Sequence, residues 1–83
     1  RAMGTKRTYL IGLVVPSVDN QFLLELAYHA EVSARAHGYN IMLCDSGPDL
    51  QQETTVFKLL LGRQVDGILI VPQSSKSYDN LKS

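Results

Sequence analysis

The chain has 83 residues, 45% of them hydrophobic and 19% charged, and its formal net charge at pH 7 is zero. That length and composition are typical of one small soluble domain, and the neutral balance argues against direct nucleic-acid binding, because DNA and RNA require a basic surface. The single cysteine, Cys44, excludes an intrachain disulfide and favours a reducing compartment such as the cytoplasm, and no apolar run approaches the roughly 20 residues of a membrane helix.

The chain begins with a polar segment that leads into a strand. Residues 1–8, RAMGTKRT, are polar and basic, and we interpret them as a linker or a frayed end, or partly as a tag remnant. Leu10 to Val15 form a continuous apolar run with no polar alternation, which is typical of a parallel strand covered on both faces. Pro16 cannot donate a ladder hydrogen bond, so we expect it to end the strand.

A helix is predicted after a short polar turn. Asp19 and Asn20 are both competent N-caps for the amides of its first turn, and helical periodicity holds from Phe22 to His37. Gly38 ends this helix, because glycine tolerates a left-handed backbone. The stripe predicted to face the core consists of Leu23, Leu26, Ala27, Ala30 and Ala34.

A second strand and a second helix are predicted next. Asn40–Cys44 is a short apolar strand, and Asp49 follows as an N-cap, with Gln52 placed three residues on as in a capping box. The helix runs from about Leu50 to Leu61 and ends at Gly62. We expect it to bury Val56, Leu59 and Leu60 and to turn Glu53 and Lys58 outward.

A third strand is predicted at Val65–Val71, again ended by a proline, Pro72. Residues 73–83 are interpreted as a loop and the start of a third helix, with Tyr78 and Leu81 as its first buried pair. The β-α-β-α-β alternation indicates an α/β fold with a parallel sheet and right-handed crossovers.

Two strand orders, 2-1-3 and 3-2-1, satisfy this connectivity. Order 2-1-3 is preferred, with the helices on opposite faces and a switch point between strands one and three. Ligands of open α/β sheets bind at the carboxyl ends of the strands beside such a point. The candidate binding loops are therefore residues 17–22 and 73–77.

No catalytic, metal or cofactor constellation is recognisable in the sequence. Phosphate and dinucleotide sites need clustered glycines, and the turn PSVDN after the first strand has none. His29 and His37 lie eight residues apart on the first helix, outside the reach of one metal ion. Cys44 is interpreted as an inert thiol in a strand. Asp45 and Asp49 are interpreted as turn or cap carboxylates, and Asp66 as a solvated residue at a strand end.

The candidate loops offer a binding surface instead. Asp19 and Asn20 supply hydrogen-bonding groups, Phe22 supplies an aromatic face, and Ser74 and Ser75 add hydroxyls from the neighbouring loop. Polar groups beside an aromatic ring suit a sugar, whose hydroxyls surround an apolar C–H face. The alternative interpretation is structural, with Asp19 and Asn20 as caps and Phe22 as a plug in the strand–helix corner.

Three strings in the chain resemble one known family. IGLVVPSVDNQF, AHGYNIMLCDS and LLLGRQVDGILIVP are similar, in order and spacing, to the first half of the effector-binding domain of the lactose-repressor/galactose-repressor (LacI/GalR) family. The same domain occurs in periplasmic sugar-binding proteins. One departure is that the family often has a second aromatic residue where this chain has Leu23.

The resemblance implies a flavodoxin-like beginning with strand order 2-1-3. Residues 9–83 would be the N-terminal portion of a periplasmic-binding-protein-like effector domain, and DNA would be bound only through a domain absent from this chain. The resemblance further implies a non-enzymatic regulator that binds a sugar or sugar-like effector and acts as a homodimer in the cytoplasm. No metal, cofactor or membrane contact is expected.

The expected dimer surface lies on the first helix. If the predicted stripe faces the sheet, then Leu24, Tyr28, Glu31 and Arg35 form the outward stripe. In the family that the chain resembles, helix one and strand two contribute to subunit contacts. The alternative is that isolated apolar residues at a surface need no partner.

Two other functions stay open on the sequence. One is the periplasmic sugar-binding protein of a transporter, which shares the cleft but needs no dimer. The other is an α/β enzyme that merely shares the fold, since a fold alone does not determine function. Three features favour the regulator. The VDGI form of the third strand resembles regulators of the family, residues 1–8 resemble the end of a hinge segment that joins a DNA-reading domain to this one, and no secretory signal is visible.

Overall fold

The computed structural model describes residues 7–72, which form a three-stranded parallel sheet with one helix on each face. In chain order the elements are strand β1 (Leu10–Val15), helix α1 (Gln21–Ala36), strand β2 (Asn40–Asp45), helix α2 (Leu50–Gly62) and strand β3 (Gly67–Ile70). The sheet order is β2-β1-β3, so the preferred order 2-1-3 is confirmed. Strand β1 is central, and its Leu13 pairs with Leu43 of β2 and Leu69 of β3.

Strand β1 is buried on both faces, as its continuous apolar run predicts. Leu13 and Val15 pack with Leu23 and Ala27 of α1. Val14, which points to the opposite face of the pleated strand, belongs to a second cluster with residues of α2. The two helices therefore cover opposite sides of the same strand, and the core of the described residues lies in these two layers.

The buried stripe of α1 is narrower than the sequence predicts. Leu23 and Ala27 are buried and Ala30 packs against them, but Leu26 is 40% exposed, so the prediction that Leu26 faces the core is wrong. Each residue is rotated by about 100° from its neighbour in a helix. Leu26 therefore lies on the flank of the stripe that contains Ala27.

The buried stripe of α2 also differs from the prediction. Val56 and Leu60 are buried as expected, but Leu59 is 52% exposed and Glu53 has no exposed surface. Glu53, Val56 and Leu60 are spaced i, i+3 and i+7, so they share one face of the helix. Glu53 is also in the first turn of α2, where the helix dipole favours a negative charge.

The helix ends largely confirm the local signals. Asn20 caps α1 through its Oδ1, which accepts from the Leu23 N–H at 3.1 Å, and Asp49 caps α2 by accepting from the Gln51 N–H at 2.9 Å. Gly38 follows α1 with a φ of +83°. Helix α2 includes Gly62 rather than stopping before it. The predicted pair Tyr78 and Leu81 lies outside the described residues.

Candidate functional site

The loops that follow β1 and β2 meet at the carboxyl edge of the sheet, and Asp45 joins them. Its Oδ2 accepts a hydrogen bond from the Val18 N–H at 3.1 Å, and its Oδ1 accepts from the Gly47 N–H at 2.7 Å. The Ser46 N–H donates to the Val15 carbonyl at 2.8 Å. Asp45 therefore fixes the position of the loop that carries Asn20. Its contact with Val18 joins residues 27 apart in the chain, so no local sequence signal reveals it.

Asp19 and Asn20 lie in the loop between β1 and α1, and both are exposed. The Asp19 N–H donates to the Ser17 hydroxyl at 3.0 Å, which shapes the turn and leaves the Asp19 carboxylate at the surface. The Asn20 Oδ1 is engaged in capping α1. Its Nδ2 amide has no acceptor among residues 7–72, so within that range this amide is the Asn20 group left without a hydrogen bond.

Phe22 is the most distinctive side chain at this edge. It is the second residue of α1, and 73% of its surface is exposed. A ring that plugged the corner between strand and helix would be buried, so the structure does not support the plug interpretation. The phenyl ring is instead a flat apolar surface exposed to water at the start of α1.

The two serines predicted for this site, Ser74 and Ser75, lie outside the described residues. The arrangement that the structure does define consists of one loop and one helix start. It presents a carboxylate, an amide donor and an aromatic ring from Asp19, Asn20 and Phe22. These groups can bind hydroxyls and stack on an apolar face, but they contain no nucleophile paired with a base.

A second surface lies on α1, away from the carboxyl edge. Leu24, Tyr28, Glu31 and Arg35 are all exposed, and Tyr28 is 62% exposed. Glu31 and Arg35 form an ion pair at 2.9 Å. A shallow groove of about 300 Å³ runs between α1 and the edge strand β2, lined by Leu24, Ala27, Tyr28, Glu31, Ile41 and Leu43.

The titratable groups outside these surfaces have structural surroundings. Burial raises the pKa of the Cys44 thiol, which disfavours a reactive thiolate at neutral pH. His29 packs edge-on against Tyr28 with ring centroids 5.4 Å apart, and the His37 ring nitrogen Nδ1 lies 2.9 Å from the Ser33 carbonyl.

Within residues 7–72, no group of three His, Cys, Asp or Glu side chains is placed to hold a metal ion. Neither helix in this range is long and apolar enough to cross a membrane.

Comparison with known proteins decides the family. The family of periplasmic binding proteins and the sugar-binding domain of the LacI family matches residues 8–83. The chain belongs to this family. The resemblance stated from the three sequence strings is therefore confirmed.

Individual relatives point the same way. The regulator RegA from Clostridium saccharobutylicum is 35% identical over 74 residues, which cover 89% of this chain and 22% of that protein. The sucrose operon repressor from Lactococcus lactis subsp. lactis is 38% identical over 79 residues, 95% of this chain and 25% of that protein. The chain thus spans about a quarter or less of these relatives' length, and both are regulators rather than enzymes.

A solved structure agrees with the fold. A periplasmic binding protein/LacI transcriptional regulator from Alkaliphilus metalliredigens QYMF, crystallised with D-xylulofuranose, superposes with a TM-score of 0.72 and 34% sequence identity. The match covers 74% of this chain and 23% of that one. The α/β class with a periplasmic-binding-protein-like beginning is therefore confirmed.

Proposed function

We propose that this chain is part of the effector-binding and subunit-pairing domain of a LacI-type transcriptional regulator. The complete protein would bind a sugar or sugar-like metabolite and change its affinity for DNA through a separate DNA-reading domain. The structural observation that supports the effector role is the exposed Phe22 ring beside the carboxyl end of β1. The neutral net charge agrees with a segment that does not itself bind DNA.

The proposed effector site combines stacking with hydrogen bonding. Phe22 would stack on the C–H face of the sugar, while the Asn20 amide donates to one hydroxyl and the Asp19 carboxylate accepts from another. Ser74 and Ser75 are proposed to add hydroxyls from the loop after β3. These groups form one wall of a cleft, and the opposite wall would come from parts of the protein outside this chain.

Regulation follows if the effector binds one arrangement of the two lobes better than the other. A ligand shifts an equilibrium only by its differential affinity for the two states. A contact from Phe22 that forms only when the lobes close would supply that difference. The transition would then be passed to the DNA-reading domain, which we place in the cytoplasm with the rest of the protein.

The groove between α1 and β2 is the proposed homodimer surface. Leu24 and Tyr28 on the helix and Ile41 and Leu43 on the edge strand form a continuous apolar strip. Strand β2 is the edge of the described sheet, and the Glu31–Arg35 ion pair borders the groove with charge. An apolar strip with a charged border is the usual composition of a specific subunit contact.

A second candidate, a transport binding protein, has the same cleft and belongs to the same family. The observation that favours the regulator over this candidate is the exposed apolar strip on α1 and β2, which a monomeric binding protein has no need to display. Sedimentation of the complete protein separates the two, because the regulator is expected to be a dimer at low concentration.

The effector role is tested by calorimetry on the complete protein. A panel of D-xylulose, D-ribose, D-fructose, sucrose and their phosphates is titrated into the unaltered protein and into Phe22→Ala. Burying a phenyl ring is worth roughly 1.5–3 kcal/mol, so affinity for the sugar that binds should fall about 10- to 100-fold. The matched variant Phe22→Tyr keeps the ring and should bind within a few fold of the unaltered protein. If Phe22→Ala changes the sugar affinity by less than about twofold, the proposed site is contradicted.

A further inference from the structure

A carboxylate bridge lies at the amino-terminal edge of the sheet, at the opposite end of the strands from the proposed effector loops. The Asp66 carboxylate, one residue before β3, accepts three hydrogen bonds from the segment that leads into β1. Its Oδ1 accepts from the Thr8 N–H at 3.0 Å and from the Thr8 hydroxyl at 3.1 Å. Its Oδ2 accepts from the Tyr9 N–H at 3.0 Å. The sequence predicted only a solvated strand end at Asp66, and its exposed carboxylate instead joins residues far apart in the chain.

The same segment is also held from the other side, by the start of β2. The Tyr9 carbonyl accepts from the Asn40 N–H at 2.9 Å, and the Tyr9 ring lies 5.5 Å from the Tyr39 ring. Arg7 donates from Nη1 to the Tyr39 hydroxyl at 2.7 Å. Residues 7–9 are therefore fixed between the beginnings of both neighbouring strands.

The backbone at Tyr9 has a conformation that such contacts are needed to maintain. Its φ of +57° is in the left-handed region, which residues other than glycine adopt rarely. The Thr8 hydroxyl also lies 2.9 Å from the Gln64 carbonyl, so its one proton is shared between that oxygen and Asp66. Without these partners, the turn would relax to a commoner backbone conformation and the chain would reach β1 from another direction.

The negative charge of Asp66 strengthens the bridge. The Thr8 N–H holds the pKa of the Asp66 carboxyl below its ordinary value, and the Tyr9 N–H, the Thr8 hydroxyl and the Arg7 charge act in the same direction. The carboxylate is therefore ionised at neutral pH, and hydrogen bonds to an ionised acceptor are stronger than neutral ones. An asparagine at this position would have only one acceptor oxygen for the two backbone amides.

We propose that Asp66 is a positioning residue, whose bridge to Thr8 and Tyr9 fixes the direction in which the polypeptide reaches β1. The bridge thereby couples the effector lobe to the domain before it. The coupling part rests on the proposed function. Strands β1 and β3 carry the effector loops at one end and the two halves of the bridge at the other. A rigid attachment passes a movement of the lobe to the preceding domain, whereas a loose one would absorb it.

The attachment itself is tested without effector or DNA. In the complete protein with Cys44→Ser, spin labels are placed at cysteines introduced for Lys6 and for Lys58, which is exposed on α2. Distances between the labels within one subunit are measured by pulsed electron resonance. We expect one narrow distribution, broadened by Asp66→Asn and by Thr8→Val but not by Thr8→Ser, which keeps the hydroxyl. Thr55→Val is the matched control, because it removes an exposed hydroxyl on α2 that bonds the Gln51 carbonyl at 3.1 Å.

The coupling is tested with a DNA duplex selected from a random pool by the unaltered protein and with the panel sugar that binds it. Coupling residues typically change the linkage between two sites by about 2- to 30-fold. We expect Asp66→Asn to reduce the sugar-induced change in DNA affinity by a factor in that range, with sugar affinity unchanged.

The two tests fail in different ways. Distance distributions of equal width in the unaltered protein and in Asp66→Asn would overturn the positioning role. An unchanged sugar effect on DNA affinity in Asp66→Asn would overturn the coupling. If the unaltered protein binds neither sugar nor DNA, the proposed function fails, while the label distances still decide whether Asp66 positions the chain.

Discussion

Gly12 of β1 lies against Leu60 of α2, with no room between them for a further methyl group, and this contact gives the sharpest stability prediction. A Cβ at position 12 would lie 2.5 Å from Leu60 Cδ1, 2.9 Å from Cδ2 and 3.1 Å from Cγ. Leu60 has no exposed surface, so its side chain cannot move aside into water. Overpacking of this kind lowers the free energy of unfolding by about 1–3 kcal/mol. The Gly12→Ala substitution also reduces the conformational entropy of the unfolded chain, which offsets about 0.4–1 kcal/mol of that loss.

The assay is urea unfolding of the complete protein, and the matched control is Gly62→Ala. A Cβ at Gly62 would meet nothing within 4 Å, and Gly62 is the last residue of α2. We expect Gly12→Ala to lower the free energy of unfolding and Gly62→Ala to leave it unchanged or raise it by up to about 1 kcal/mol.

A double-mutant cycle isolates the contact between the two residues. Leu60→Ala alone should cost about 2–5 kcal/mol by creating a cavity. Because an alanine at position 60 leaves room for the new methyl group, the double variant should cost less than the two single variants together, by about 1–3 kcal/mol. Additive single effects, or a Gly12→Ala variant as stable as Gly62→Ala, would refute the close approach of α2 to β1.

Two further predictions concern assembly. Tyr28→Asp in the complete protein should weaken the dimer at least about tenfold, because it places a charge in the apolar strip. The measurement is sedimentation at low concentration, and Lys58→Asp on α2 is the control that should leave the dimer intact. Equal sedimentation of both variants would exclude this face. The 83-residue chain made alone should be weakly folded or should self-associate, because Leu26 and Leu69 are exposed and β3 is an edge strand of the described sheet. A cooperative, concentration-independent unfolding transition of a monomer would contradict this.

The elements could be predicted because each has a local signal. The apolar run of β1, the proline after it, the caps Asn20 and Asp49 and the glycine after α1 are all readable within a few residues of the boundary they set. Strand order was narrowed to two possibilities by connectivity. The choice between them depends on long-range pairing, which periodicity does not encode.

The side-chain environments were harder to predict than the elements. Leu26 and Leu59 lie next to true core positions, and apolar character alone does not define the rotation of a helix on its sheet. The burial of Glu53 contradicts the usual preference of carboxylates for solvent. The long-range contacts of Asp45 and Asp66 are not predictable from local patterns, because their partners are 27 and 57 or 58 residues away.

The candidate site was predictable in part. Residues 17–22 follow the central strand, and the switch-point rule identifies that position once the strand order is known. The exposure of Phe22 could have been suspected, because it precedes the buried Leu23 and so lies about 100° away from the core stripe. As ligand contacts, all five residues remain predictions, namely Asp19, Asn20, Phe22, Ser74 and Ser75.

The most direct test is the DNA affinity of the complete protein, measured with and without the sugar that binds it. The duplex is first selected from a random pool by the protein itself, and titrations are run at one fixed salt concentration, since affinity for DNA depends steeply on salt. A LacI-type regulator should bind this duplex in preference to scrambled DNA, and saturating sugar should change its affinity by about 5- to 150-fold. Sugar binding with no sequence-selective DNA binding, or a DNA affinity that saturating sugar leaves unchanged, would contradict the proposal that this chain belongs to a sugar-responsive regulator.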